Sequence, residues 1–170
     1  MNISINNIKL EIDARPENVS HARVMVASFI AGLDPSVGEI SDIKTAVSEA
    51  VTNAIIHGYG KDDEMDVLPQ CNTAKDTGKN ADNHTGVVTI SAASYVSDNE
   101  RKLVIKITDQ GVGIANIESA RAPLFTTKPE MERSGLGFTV MESFMDSVDI
   151  SSNLGTGTTV TLTKILTQGN

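Results

Sequence analysis

Three groups of residues contain either side chains suited to phosphate and metal chemistry or glycines that let a ligand approach the backbone. The first group lies in a helical pattern and contains Glu49, Asn53 and His57, spaced four residues apart. Each four-residue step of an α-helix advances about 6 Å and turns by only about 40°, so these side chains form one polar row. An amide oxygen is a hard ligand suited to Mg²⁺, and a carboxylate one turn away can orient or deprotonate a hydroxyl group. The row indicates either a phosphoryl-transfer site or a solvated helix face.

The second group follows an apolar stretch and contains Asp109, Gly111 and Gly113. A carboxylate at the end of a strand can accept a hydrogen bond from an adenine amino group, and the glycines allow a close backbone approach. The same residue types are common where a strand simply ends in a turn. The pattern therefore predicts either a base-binding loop or an ordinary turn.

The third group precedes another helical pattern and contains Gly135, Leu136 and Gly137. Backbone N–H groups at the start of a helix bind phosphate. Arg133 lies beside this turn and can reach a terminal phosphate, and Lys128 is a weaker candidate. A lone Gly-x-Gly is also common in plain loop-to-helix turns. The chain has neither a Walker A sequence nor Gly-x-Gly-x-x-Gly, which argues against P-loop and Rossmann folds.

The order of these groups is more informative than any one of them. A fourth piece, the Gly-Thr-Gly-Thr-Thr turn that ends at Thr159, precedes the last strand pattern and by itself is an ordinary hairpin turn. In sequence along one chain, a carboxylate, an amide, an isolated Asp and glycine-rich turns predict a nucleotide site. An ATP-using protein is therefore the leading interpretation.

Composition narrows the class of protein. The chain has 170 residues, of which 39 % are hydrophobic, enough for the core of one domain over residues 1–170. The formal net charge of -8 argues against a broad contact with nucleic acid. One cysteine excludes an intrachain disulfide, and neither a secretory signal nor an apolar stretch of about 20 residues is visible. We expect a cytoplasmic protein without a membrane contact.

Hydrophobic periodicity predicts the element order β-α-α-β-β-(loop or helix)-α-β-β, which is typical of an α+β two-layer sandwich with helices on one face of the sheet. Ser36 and Glu39 have capping-box spacing, so the second helix should begin near Ser36 and end near Gly58. Strands are predicted over residues 7–13, 87–96, 102–108, 147–152 and 158–166, and the other helices over residues 17–32 and 136–145.

The first helix has an unusual outer face. Its apolar stripe is opposed by Val24, Ala27, Ser28 and Ala31, where a surface helix normally carries charges. Two interpretations remain open. Either the helix is buried on two sides, or this face binds a partner with Arg23 at its edge.

Residues 61–86 are polar and lack periodicity, which predicts a flexible loop insertion. The insertion either is simply tolerated, shields an edge or contacts a partner. The sequence does not distinguish these roles.

Three segments resemble the Bergerat-type ATP-binding family, which includes gyrase and histidine kinases. They are residues 22–31, 47–59 and 123–138, and the resemblance is strongest to the anti-sigma factor serine kinases of Gram-positive bacteria. It covers nearly the whole chain except residues 61–86. It implies a mixed, mostly antiparallel sheet with helices on one face, and a mobile ATP lid over residues 114–134.

The same resemblance implies roles for single residues. Glu49 would be the general base, Asn53 the Mg²⁺ ligand and Asp109 the adenine-binding carboxylate. Arg133 would lie near the γ-phosphate and Thr159 near adenine. The remaining positions of the implied ATP site are His57, Gly111, Gly113, Lys128, Gly135, Leu136 and Gly137.

The resemblance also implies an activity and partners. The expected protein is a Mg-ATP-dependent serine kinase that forms a homodimer, phosphorylates a small anti-anti-sigma protein and inhibits a sporulation sigma factor, with Arg23 at the interface. Two alternatives stay open. One is an ATP-binding partner-switch module without phosphotransfer, against which intact Glu49 and Asn53 argue. The other is a detached histidine-kinase catalytic domain, although no two-helix dimerisation segment precedes the ATP motifs.

Overall fold

The computed structural model describes residues 3–60, 86–97, 100–122 and 135–167. These residues form a five-stranded sheet in the order β1-β2-β3-β5-β4. All four strand pairs of this sheet are antiparallel, whereas the expectation was a mixed, mostly antiparallel sheet. The strands are β1 (Ile3–Asp13), β2 (Val87–Ser97), β3 (Glu100–Asp109), β4 (Ser147–Asn153) and β5 (Gly157–Leu166). The predicted strands are confirmed, and β1 begins four residues earlier than the alternation indicated.

Within the described ranges, four α-helices accompany the sheet: α1 (Val19–Ala31), α2 (Val37–Asn53), α3 (Ile117–Arg121) and α4 (Gly137–Phe144). The predicted capping box begins α2, because the Glu39 N–H donates to Ser36 Oγ at 3.2 Å and the Ser36 N–H donates to Glu39 Oε2 at 2.8 Å. The helix continues past Asn53 as a π-helical turn, Ala54–Gly58, so its predicted end near Gly58 is confirmed.

The hydrophobic core lies between the helices and one face of the sheet. Because successive strand side chains point to opposite faces, alternate residues of each strand contribute to it. Its largest fully buried side chains are Ile30, Ile43, Ile90, Leu103, Ile105, Ile107, Met141 and Leu162. The core is aliphatic, as the scarcity of aromatic residues requires. No helix among the described residues is long and apolar enough to cross a membrane.

The outer face of α1 is open in this chain. Ala22, Val26 and Ile30 pack into the core, whereas Val24 is 69 % exposed. Ser28 and Arg23 are exposed beside it. Within the described residues, α1 is therefore buried on one side only, and the interpretation that both of its sides are buried is wrong for the single chain.

Two predicted features fall outside the described residues. They are the insertion, apart from Gly86, and the part of the predicted ATP lid at residues 123–134, which contains Lys128 and Arg133. Of the lid segment, the structure describes residues 114–122 with α3. Gly86 directly precedes β2 and lies beside the end of β1, where its C=O accepts a hydrogen bond from the Ala14 N–H at 2.8 Å.

Candidate nucleotide site

Glu49 and Asn53 meet at the start of α4. Val47 and Val51 point from α2 into the core, which leaves the polar row half-buried on another side of the helix. A Cβ atom added at Gly137 would lie 3.2 Å from Asn53 Nδ2 and 3.2 Å from Glu49 Oε2. The carboxylate and the amide of the predicted row therefore lie against the first residue of α4.

The start of α4 is built to accept an anion. Its N-cap residue is Leu136, whose side chain cannot accept a hydrogen bond, and no described side chain caps the helix. The first N–H groups of a helix have no partner within the helix, so they remain available to a ligand. Gly135 has a φ of 64°, a conformation that favours glycine. Gly135, Leu136 and Gly137, the three residues predicted to bind phosphate, therefore lie together at the start of α4.

Asp109 forms a second cluster at the end of β3. The residue is buried, with only 5 % of its surface exposed. Oδ1 accepts hydrogen bonds from the Gly111 N–H at 2.9 Å and the Thr158 N–H at 3.3 Å. Burial raises the pKa of Asp109 above its ordinary value, although these backbone donors act in the opposite direction. The bonds from Gly111 and Thr158 both end on Oδ1, so Oδ2 can accept a hydrogen bond from a group such as an adenine amino group.

Glycines let the backbone close around Asp109. A Cβ atom at Gly111 would overlap the C=O of Gly58, and one at Gly157 would overlap the C=O of Asp109. Gly58 itself lies so close that its Cβ would be 3.0 Å from Asp109 Oδ1. Gly58 and Gly157 were not among the predicted site residues, because a glycine needed for a contact between distant segments has no local signature.

Gly113 serves a neighbouring contact. It has a φ of 74°, and a Cβ atom there would overlap the C=O of Asn153, the last residue of β4 before the turn to β5. The Gly155 N–H donates to the Val112 C=O at 2.9 Å in the same contact. The predicted glycine therefore holds the loop after Asp109 against this turn.

Thr158, rather than Thr159, lies beside Asp109. Thr159 is paired with Thr108 across β3 and β5, and their Oγ1 atoms are 3.1 Å apart. Strand alternation places both of these threonines on the sheet face opposite to the helices, whereas Asp109 and Thr158 share the helix face. The buried residues Val160 and Leu162, on the same face as Thr158, were the signal that could have identified it.

His57 lies in the π-helical turn and is half-buried. The α-helical row on which its position was predicted ends at Asn53, because the backbone hydrogen-bond pattern changes at Ala54. Gly58, the last residue of this turn, lies against Asp109. Arg23 lies on α1, on the exposed face described above, and is not part of either cluster.

The two clusters follow one another along α2. Asn53 directly precedes the π-helical turn and Gly58 ends it, so the two residues are five positions apart. One cluster offers a carboxylate, an amide and a helix start, and the other offers a buried carboxylate within a glycine cradle. The first set suits a divalent cation with phosphate oxygens, and the second suits a base with an amino group. The two carboxylates, the amide and the N–H groups of the helix start therefore fit Mg-ATP.

Comparisons with known proteins agree with this geometry. A family model described as a histidine kinase-like ATPase domain matches residues 12–164. An anti-sigma F factor of Geobacillus sp. (strain WCH70) is 50 % identical over 96 % of this chain and 94 % of its own length. The anti-sigma F factor of Bacillus cytotoxicus is 49 % identical over 97 % of this chain and 96 % of its own length.

A solved structure supports the fold independently. The crystal structure of the RsbU and RsbW domains of Rv1364c from Mycobacterium tuberculosis aligns over 97 % of this chain with a TM-score of 0.55 and 20 % identity. The match spans 34 % of that longer chain. With this fold, the matched family model and the close relatives, the chain belongs to the histidine kinase-like ATPase domain family, in the branch that contains the anti-sigma F factors.

Proposed function

We propose that this chain is a cytoplasmic Mg-ATP-dependent protein-serine kinase. It phosphorylates a serine of a small anti-anti-sigma protein, and as a homodimer it binds and inhibits a sporulation sigma factor. The observation that carries the proposal is the position of Glu49 and Asn53 against the uncapped start of α4. The near 50 % identity to anti-sigma F factors supports the partner classes.

Each residue of the site has a role in this proposal. Asn53 would hold Mg²⁺, which when bound offsets the negative charge of phosphate oxygens. Glu49 orients the serine hydroxyl and accepts its proton. The N–H groups at the start of α4 hold phosphate. Asp109 accepts a hydrogen bond from the adenine amino group, with Thr158 beside it.

The open face of α1 supports a partner surface. Val24 is 69 % exposed, and Ser28, Ala31 and Arg23 are also exposed. An exposed apolar residue among small uncharged ones, with a cation at the edge, suits contact with another protein better than contact with water alone. This face lies on α1, whereas the candidate site lies along α2, so the face would hold a partner outside the residues that carry out phosphoryl transfer.

Phosphorylation of the anti-anti-sigma protein tests the proposal. The purified chain with Mg-ATP should yield phosphoserine, detected by mass spectrometry. Glu49→Gln should slow this reaction at least about a hundredfold, because the carboxylate that accepts the proton is lost. Nucleotide binding should be retained. Glu11→Gln, which changes an exposed carboxylate on β1, should have no effect.

Two outcomes would favour the alternatives. Sigma-factor binding without any phosphoserine, unchanged in Asn53→Ala, would indicate a partner-switch module that performs no phosphotransfer. A phosphoprotein that loses its phosphate in acid would indicate phosphohistidine, since phosphoserine survives acid, and would support a histidine-kinase catalytic domain. Either result would overturn the serine kinase assignment.

A further inference from the structure

Tyr59 joins three segments that are distant in sequence. Its hydroxyl accepts a hydrogen bond from the Gln110 N–H at 2.7 Å and donates one to the Val87 C=O at 2.7 Å. Its ring lies against Gly86, where an added Cβ atom would be 2.5 Å from Tyr59 Cδ1. One side chain thus connects the end of α2, the start of β2 and the loop after β3.

The bond to Gln110 acts directly on Asp109. The Gln110 N–H belongs to the peptide unit that follows the Asp109 Cα atom, so holding this N–H restricts the backbone rotation that aims the Asp109 side chain. Two residues further on, the Val112 N–H donates to the Gly58 C=O at 3.0 Å. Gly58 and Tyr59 therefore hold the loop after Asp109 at two consecutive points on the end of α2.

The π-helical turn places Tyr59 for this role. The Tyr59 N–H is bonded to the C=O groups of Ile55 and Ile56, and the Gly60 N–H donates to Ile56 at 3.0 Å. A π turn contains about one residue more than an α turn, so it changes the direction in which the following residue points. Such turns are frequent at functional sites, and here the turn directly precedes Tyr59, which contacts the loop after Asp109.

We propose that Tyr59 is a positioning residue for base selection, through its hydroxyl bond to the peptide unit after Asp109. The proposal rests on the function proposed above, in which Asp109 binds the adenine amino group. Guanine carries an oxygen where adenine carries that amino group, so a correctly aimed carboxylate favours adenine and repels guanine. Tyr59 therefore contributes to the preference for ATP over GTP without touching the nucleotide.

Tyr59→Phe tests the proposal, because it keeps the ring over Gly86 and removes only the hydroxyl. Both hydrogen bonds lie in a solvent-exposed place, so water can satisfy the Gln110 N–H and the Val87 C=O and the variant keeps its fold. Calorimetric titration should show ATP affinity about five- to tenfold weaker and GTP affinity changed less than about twofold. Thermal unfolding should remain cooperative.

Two control variants separate this role from a general one. Tyr95→Phe alters the only other tyrosine of the chain, on a strand away from the site, and should leave both affinities unchanged. Gln110→Ala keeps the N–H that donates to Tyr59 and should do the same. An unchanged ratio of ATP to GTP affinity in Tyr59→Phe, with wild-type protein that binds ATP, would overturn only the positioning role. Wild-type protein that binds neither nucleotide would overturn the proposed function as well.

Discussion

The buried position of the ionised Asp109 carboxylate costs folding free energy. Burial raises its pKa in the folded protein above the ordinary 3.8. A group with a raised pKa holds its proton more firmly in the folded than in the unfolded chain. Its contribution to stability is therefore present below pH 3.8 and is lost as the pH rises through the folded pKa. Retention of a costly buried charge is typical of a binding site.

Asp109→Asn should separate stability from binding. Asparagine retains an Oδ1 acceptor for the Gly111 and Thr158 N–H groups but carries no buried charge. We expect an unfolding temperature at pH 7 that is equal to or above that of the wild type. ATP affinity should fall at least about tenfold, because the Asn Nδ2 donor faces the adenine amino group.

Thermal unfolding and calorimetric titration check this prediction. Asp149→Asn, on the exposed surface of β4, is the matched control and should change neither quantity. A lower unfolding temperature with unchanged ATP affinity would show that Asp109 has a structural role only.

At the scale of elements, the site depends on the approach of α4 to α2. The first residue of α4 is a glycine that faces the side chains of Glu49 and Asn53, with Nδ2 and Oε2 each 3.2 Å from the position of a Cβ atom. That spacing is tighter than an ordinary carbon contact, so a larger residue at Gly137 would require those side chains to move. The absence of a side chain at this one position lets the helix start reach the polar row of α2.

Gly137→Ala should therefore impair activity more than stability. The added methyl group displaces the Glu49 and Asn53 tips by a few tenths of an ångström, and catalysis is sensitive to such displacement. We expect phosphorylation to slow by about tenfold or more in steady-state kinetics. The free energy of unfolding should not fall by more than about 1 kcal/mol, since alanine favours the helix.

Gly38→Ala provides the comparison. Gly38 is exposed in the first turn of α2, and its Cβ would meet only Ser36 Oγ, at 3.9 Å. This variant should gain up to about 1 kcal/mol of stability and keep full activity. Equal rates for the two alanine variants would contradict the role assigned to the start of α4.

At the scale of the whole molecule, Glu39 links the helix layer to Thr167, the residue that follows the last strand. Besides the capping box, its Oε1 accepts bonds from the Thr167 N–H at 2.9 Å and the Thr167 hydroxyl at 3.0 Å. Burial alone would raise the pKa of Glu39, but the hydrogen bonds from Thr167 and Ser36 outweigh it and lower the pKa to about 2. One carboxylate thus joins residues that are 128 positions apart in sequence.

Glu39→Gln should reduce stability and flatten its pH dependence. A folded pKa of about 2 against an ordinary 4.5 contributes stability that is present above pH 4.5 and is lost as the pH falls through 2. We expect a loss of roughly 1–3 kcal/mol at pH 7 and a smaller difference at pH 3, measured by urea denaturation. Exposed Glu17→Gln is the control. A variant with the same pH slope as the wild type would contradict this role.

Local patterns were sufficient to predict the elements and the chemical types at the site. The capping box, the apolar stripes and strand alternation depend on residues within a few positions of one another, so α2 and the strand order along the chain could be read directly. The Glu49 and Asn53 spacing predicted a shared helix side for the same reason. The error at Thr159 is also local, since alternation from Val160 already placed Thr158 on the helix face.

The sequence by itself was enough to predict candidate side chains for a Mg-ATP site and the elements that carry them, because helix and strand periods are properties of neighbouring residues. Only the tertiary structure decided which of those groups meet. The contact of Gly137 with the α2 row and the closure of Gly58 and Gly111 around Asp109 join segments far apart in the chain. Tyr59 contacts Gln110, which is 51 positions away in the chain. The π turn that precedes Tyr59 was not predicted from any local pattern. Such contacts depend on how the sheet and helices pack together, and packing is a property of the whole fold.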